Sequence, residues 1–116
     1  MKFTEPQVAQ HYTRMQIETA SRQKQLTMLH VKCVQLIHIG MIESGIERRL
    51  ILDKAQNILA QFQAALRMED DVSEGLFYTY DYTYVLLERG QIDDCRKAIQ
   101  IMNVIRDTFR QLLFTL

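Results

Sequence analysis

A single proline, at position 6, narrows the folds open to this 116-residue chain more than any other feature. Beyond residue 20 nothing removes a backbone donor or clashes with a helical turn, so helix is permitted throughout. The four glycines stand at 40, 45, 75 and 90, and those at 45 and 90 lie where turns are wanted. Residues 1–20 form a polar leader with apolar anchors at Phe3, Val8, Tyr12, Met15 and Ile17. They are expected to make an N-terminal arm, extended or partly helical.

The segment 76–87 holds four of the five tyrosines. Aromatic residues suit strands, yet strict alternation fails, because Phe77 and Tyr78 are adjacent and Val85, Leu86 and Leu87 run together. At 100° per residue the segment sorts into two stripes instead. Val72, Leu76, Tyr80, Thr83 and Leu87 make one helix face. Tyr78, Tyr82 and Val85 make a second, beyond an acidic line of Glu74, Asp81 and Glu88. One face serves a core; the second asks for a partner.

The other segments read similarly. Ser21 is expected to cap a first long helix with Leu26, Leu29, Cys33, Leu36, Ile37 and Gly40 inside. Met28, Val31, Ile39 and Ile42 lie nearly opposite that stripe. Ser44-Gly45 breaks the helix, and Ser44 with Glu47 has capping-box spacing. A second helix over 46–68 turns Ile51, Ala55, Ile58, Leu59, Phe62 and Leu66 inward. Its other side carries Arg49, Asp53, Gln56, Asn57 and Gln63. Asp71 and Glu74 form a capping-like pair for the tyrosine helix, which ends at Arg89-Gly90. Asp93 is expected to cap a fourth helix, with Cys95, Ala98, Met102, Ile105, Phe109 and Leu113 inside and Ile101 and Val104 off the stripe. Short loops force antiparallel neighbours, so the expected fold is all-α. It is an antiparallel up-down four-helix bundle over 21–116, preceded by the arm at 1–20.

Charge and chemistry exclude several functions. Lys+Arg and Asp+Glu both number 14, and no basic run exceeds two residues, which disfavours nucleic-acid binding. No stretch approaches the ~20 apolar residues of a membrane span, and the leader lacks a signal-peptide pattern, so a cytoplasmic protein is expected. Cys33 and Cys95 fall on core stripes without metal-ligand spacing and read as buried thiols. No phosphate loop, nucleophile elbow or metal site is present, so neither catalysis nor a cofactor is expected. His30 and His38 offer the alternative of a phosphotransfer bundle, although neither has the lysine and small neighbours that chemistry favours. A third reading makes the second stripe a homodimer seam. The residues expected to contact a partner are Met28, Val31, Ile39, Ile42, Tyr78, Tyr82, Val85, Ile101 and Val104, with Tyr12 and Ile17 from the arm. Tyrosine suits a surface wet when free and covered when bound, and methionine adapts to a client's shape.

Several residues together resemble the FliS family of flagellin-specific export chaperones. The leader matches as Tyr12-x-x-x-x-Ile17-x-Thr19-Ala20-Ser21, followed by Met28-Leu29. Lys54-Ala55-Gln56-x-Ile58 follows, with Leu66, and then Leu76-Phe77-x-x-Tyr80-Asp81-Tyr82. Ile105-Arg106-Asp107-Thr108-Phe109 is similar to the family's ending. Arg22 stands where the family usually has proline, and His30-Val31-Lys32 where it has tyrosine, aspartate and glycine. The resemblance implies a four-helix bundle that binds the C-terminal segment of flagellin in the cytoplasm, prevents its polymerisation and holds it for the export gate. The leader's own apolar residues Phe3, Val8, Tyr12 and Ile17 suggest in addition an arm able to cover the groove when no flagellin is present.

Overall fold

The computed structural model describes the backbone of residues 5–115 and the side chains of residues 22–108. Four helices follow in order: α1 Glu5–Ile42, α2 Gly45–Ala65, α3 Asp71–Arg89 and α4 Ile92–Thr115. α1 packs on α2 and α4, and α3 packs on the same two, so α1 and α3 occupy opposite corners of a square. This is the expected up-down bundle, with one difference in α1. Ser21 starts no helix, because α1 already winds from Glu5. Pro6 sits in its first turn, where the missing N–H is not needed, and a serine among helix formers does not stop propagation. At 38 residues α1 is about 57 Å long. α2 and α3 have 21 and 19 residues, about 30 Å each, so the early turns of α1 run beyond them. The molecule's extents are 62 × 27 × 25 Å.

The turns correct three cap expectations. Ser44 is the N-cap of α2 but makes no side-chain cap bond. Asp70, not Asp71, caps α3, accepting from the Ser73 N–H at 2.7 Å, and that bond holds its carboxyl below the ordinary carboxylate range. Asp93 lies inside α4, which starts at Ile92, and pairs with Arg96 instead. Gly90 ends α3 as expected, in the left-handed region at φ 70°, where a Cβ would be strained.

Two consecutive arginines of α2 tie the bundle's closed end together. Arg48 Nε donates to the carbonyls of Gly40 and Glu43, both at 3.0 Å, at the end of α1. Arg49 reaches the other way and donates to the Leu87 and Glu88 carbonyls of α3, both at 3.1 Å. These carbonyls have no intrahelical partners or sit at the negative end of a dipole, so a guanidinium suits them. Arg49 also donates to the Asp53 carboxylate at 2.8 Å and to the side-chain amide oxygen of Gln56. Gln56 in turn donates to Tyr84 O and to Glu88 Oε2. Gln56 is therefore buried, against the expectation of a solvent-facing side. Where α1 and α2 approach, a Cβ on Gly40 would stand 2.9 Å from Leu52 Cδ2.

The core comprises the expected Cys33, Ile37, Ala55, Ile58, Leu59, Phe62, Tyr80, Leu87, Cys95, Ala98, Met102 and Ile105. It also takes Val34, Leu52, Leu86 and Ile99, which the stripes did not include. The side chains of the expected Phe109 and Leu113 lie outside the described residues. Val72, placed on the core face of α3, is exposed, because it lies in that helix's first turn. Both cysteines are buried, and burial pushes the Cys33 thiol up to about 12 and raises Cys95. At neutral pH such thiols stay protonated and unreactive.

A side-chain hydrogen bond crosses the diagonal of the core. His30 of α1 and Tyr80 of α3 meet across the diagonal, Nε2 to hydroxyl at 2.8 Å. Phe62 of α2 stacks on the imidazole, centroids 4.1 Å apart, and on Tyr80 at 5.2 Å. The Nδ1 of His30 lies 2.7 Å from the Leu26 carbonyl, which can only accept. Nδ1 therefore carries the proton of the neutral ring, and the tyrosine hydroxyl donates to Nε2. Desolvation lowers the His30 pKa from its ordinary 6.5, outweighing the Leu26 carbonyl, which raises it. Burial raises the Tyr80 pKa as well.

Two predictions follow from these ties. The folded state binds fewer protons at His30 than the unfolded state does, so this contribution to stability is complete above 6.5 and declines as pH falls below it. Urea midpoints should therefore drop between pH 7.5 and 5.5. His30→Phe should flatten that slope while costing about 1–3 kcal/mol, by orphaning the Tyr80 hydroxyl. A slope unchanged in the variant contradicts the assignment. Arg49→Ala should cost about 1–3 kcal/mol in the same assay, since it strands Gln56 and two carbonyls. Arg96→Ala, which breaks only an exposed pair, should stay within about 0.5 kcal/mol.

Candidate binding surface

Turning Tyr80 inward decides where its neighbours point. Residues two before and two after it lie about 160° away around the helix, so Tyr78 and Tyr82 face outward. They are 60% and 50% exposed, with Val85 beside them at i+7 from Tyr78. The exposed carboxylates Glu74 and Asp81 border this stripe, and Glu88 turns toward α2 through Gln56. Phe77 and Tyr84, at the stripe's edges, are half-buried and marginally exposed. The same offset operates on α1, where inward His30 sends Met28 outward at 62% exposure. On α4, buried Met102 sends Val104 outward at 67%.

These outward groups share one height on the bundle. His30, Phe62 and Tyr80 touch one another, which puts Met28 and Val31 level with Tyr78 and Tyr82 to within one turn. Ile101 and Val104 lie 9 and 12 residues past the start of α4 at Ile92, while His30 lies 12 residues before the end of α1 at Ile42. All three helices thus present apolar groups around the waist. They do not form a single groove, since α1 and α3 sit at opposite corners with α4 between them on this side.

The remaining candidates divide. Val31 is half-buried, and Ile101 is half-buried against the core. Ile39 and Ile42 are exposed near the α1–α2 turn, away from the waist. The side chains of Tyr12 and Ile17 lie outside the described residues. Sequence reasoning missed Ile46 and Leu50 on α2, both exposed, whose i, i+4 spacing was available as a signal.

The chemistry of this surface is that of contact. His30 is sealed in the core with both ring nitrogens engaged, so a phosphoryl donor has no approach to it. His38 is exposed on α1. Among the described residues no group of three His, Cys, Asp or Glu could hold a metal ion. No helix is long and apolar enough to cross a membrane, among the same residues.

The family of the flagellar protein FliS matches residues 5–114, nearly the whole chain, including every motif on α1 to α4 that carries the resemblance. No curated protein and no solved structure matches it. A match of that extent, to a chain folded as four helices with an apolar waist, shows that the protein belongs to the flagellar protein FliS family.

Proposed function

We propose that this chain is a non-enzymatic cytoplasmic chaperone that holds the C-terminal helical segment of flagellin until type III export. The observation that carries the reading is the band of exposed apolar groups around the waist: Met28, Tyr78, Tyr82, Val85 and Val104. A monomer gains nothing from leaving such groups in water, whereas a client that covers them gains roughly 1.5–3 kcal/mol for each large side chain buried. Val31 and Ile101 flank the band and complete its edge.

The geometry constrains the client. Half a turn around a bundle 25–27 Å across is roughly 40 Å, or about 27 helical residues at 1.5 Å each. A single straight helix reaches one corner only, so the client must bend and pass over α4 to touch both α1 and α3. An extended, wrapping client that orders as it binds fits this path. Wrapping also keeps flagellin's terminal helices from polymerising, and release at the flagellar export gate would return them.

The segment 1–20, carrying Tyr12 and Ile17, is proposed to fold back from the opening turns of α1, which here continue the helix from Glu5, and to occupy part of the band when no flagellin is present. Deleting residues 1–17 should then raise client affinity or promote aggregation of the free chain. Unchanged affinity together with unchanged solubility would remove the arm from the account.

The main test is co-expression with the last forty-odd residues of a flagellin. Tyr78→Glu with Tyr82→Glu should lower co-purification by at least about a hundredfold, since two ionised groups replace two buried rings. Helicity should be unchanged, because both positions face water. Normal capture by a natively helical double variant would defeat the proposal.

A further inference from the structure

The start of α2 and the end of α3 meet at the closed end of the bundle, and a cleft of about 210 Å³ lies between them. Gly45, Arg48, Arg49, Leu52, Arg89 and Gly90 line it. That volume is many times the ~10–15 Å³ that one water needs. Three guanidinium groups share the cleft, and no carboxylate is in its lining. We propose that it binds a free tetrahedral oxyanion of the phosphate kind.

The positive charge gathered there is only partly compensated. Asp53 is held by Arg49 and Glu88 by the Gln56 amide, and both carboxylates stand outside the lining. Arg48 donates to the Gly40, Met41 and Glu43 carbonyls, which accept hydrogen bonds without cancelling its charge. Its Nη1 makes no bond among the described residues, and Arg89 makes neither an ion pair nor a side-chain hydrogen bond among them. Both side chains therefore keep N–H groups to give, and an arginine stays charged at any working pH. Gly45 adds the backbone of the first turn of α2. The N–H groups of that turn have no intrahelical acceptor, and Ser44 makes no side-chain cap bond to them. A Cβ on Gly45 would meet nothing within 4 Å, so no side chain crowds that backbone. Donors thus face the cleft from two helices, which suits oxygens pointing several ways, whereas a planar carboxylate takes one fork. Leu52 is the one apolar side chain of the lining and no aromatic ring joins it, so a nucleobase has nothing to stack on. The occupant is the free ion. Arg48 stands about 21 Å along α2 from Phe62 at the waist, so a client there leaves the cleft open.

The inference rests on the fold alone, and its test needs no flagellin. Backbone amide signals of the isotope-labelled full chain are followed by NMR as inorganic phosphate is raised to about 30 mM at constant ionic strength. The Gly45, Ile46 and Gly90 signals should move and saturate, half-way at roughly 1 mM. Chloride at matched ionic strength should leave them in place. Arg89→Gln, which removes a side chain that ties nothing, should weaken binding at least about tenfold with the rest of the spectrum kept. Arg67→Gln, at an exposed arginine between α2 and α3, should bind as the wild type does. Shifts that grow linearly to the last addition overturn the proposal, as does binding by Arg89→Gln equal to that of the wild type. Adenosine diphosphate, titrated in the same way, separates the sources of the phosphoryl group. Affinity no better than that of phosphate supports the free ion, and affinity about tenfold or more above it assigns the cleft to a nucleotide and overturns the proposal.

Discussion

The hydrogen bond between His30 and Tyr80 fixes which way three of the four helices face. It spans the diagonal of the square, with Phe62 laid against both rings, so α1, α2 and α3 share one register at that height. Because a helix advances 100° per residue, a side chain locked inward forces those two positions away to point outward. Tyr80 inside means Tyr78 and Tyr82 outside; His30 inside means Met28 outside. The core and the exposed band are two consequences of the same rotation. A bundle of four helices can hide one stripe from each member, and this chain has apolar residues on two.

The bond is costly to keep, since it buries an imidazole and a phenol, and burial shifts the pKa of each away from ionisation. An apolar pair of similar size would pack the diagonal without that penalty. What the polar pair adds is direction: an unmet hydroxyl or ring nitrogen in the core costs more than a shifted methyl group, so wrong rotations are excluded. The closed end is specified in the same manner. Arg48 and Arg49 each hold the last carbonyls of a different neighbour, and Gly40 lets the first two helices approach to within a side chain's width. Stability here comes from burial, with uniqueness supplied by a few polar ties.

Periodicity alone made most of the architecture legible. Proline and glycine positions located the helices, and stripes at i, i+3 and i+4 identified the greater part of the core. What it missed shares a physical cause. Gln56 and Arg49 are polar, so a wheel assigns them to water, yet both are satisfied by groups on α3 that the sequence does not place beside them. Val72 has the right phase for the core but lies at a helix end, beyond the reach of neighbours. Ser21 has capping chemistry but no interruption to cap, since the helix was already under way. Of the candidate surface, the outward phase of Met28, Tyr78, Tyr82, Val85 and Val104 was readable. That α1 and α3 sit at opposite corners, so that the stripes form a band and not a cleft, required the packing.

A band suits a client that arrives unfolded and must be kept from its own kind, because wrapping engages a long segment without any deep pocket. Oxidative footprinting of the tyrosines tests this most directly, with the intact chain alone and then saturated with the C-terminal segment of flagellin. Tyr78 and Tyr82 should react readily in the free chain while Tyr80 does not, and both should become protected on saturation. Equal reactivity of Tyr78 and Tyr82 with and without a bound flagellin segment would contradict the account.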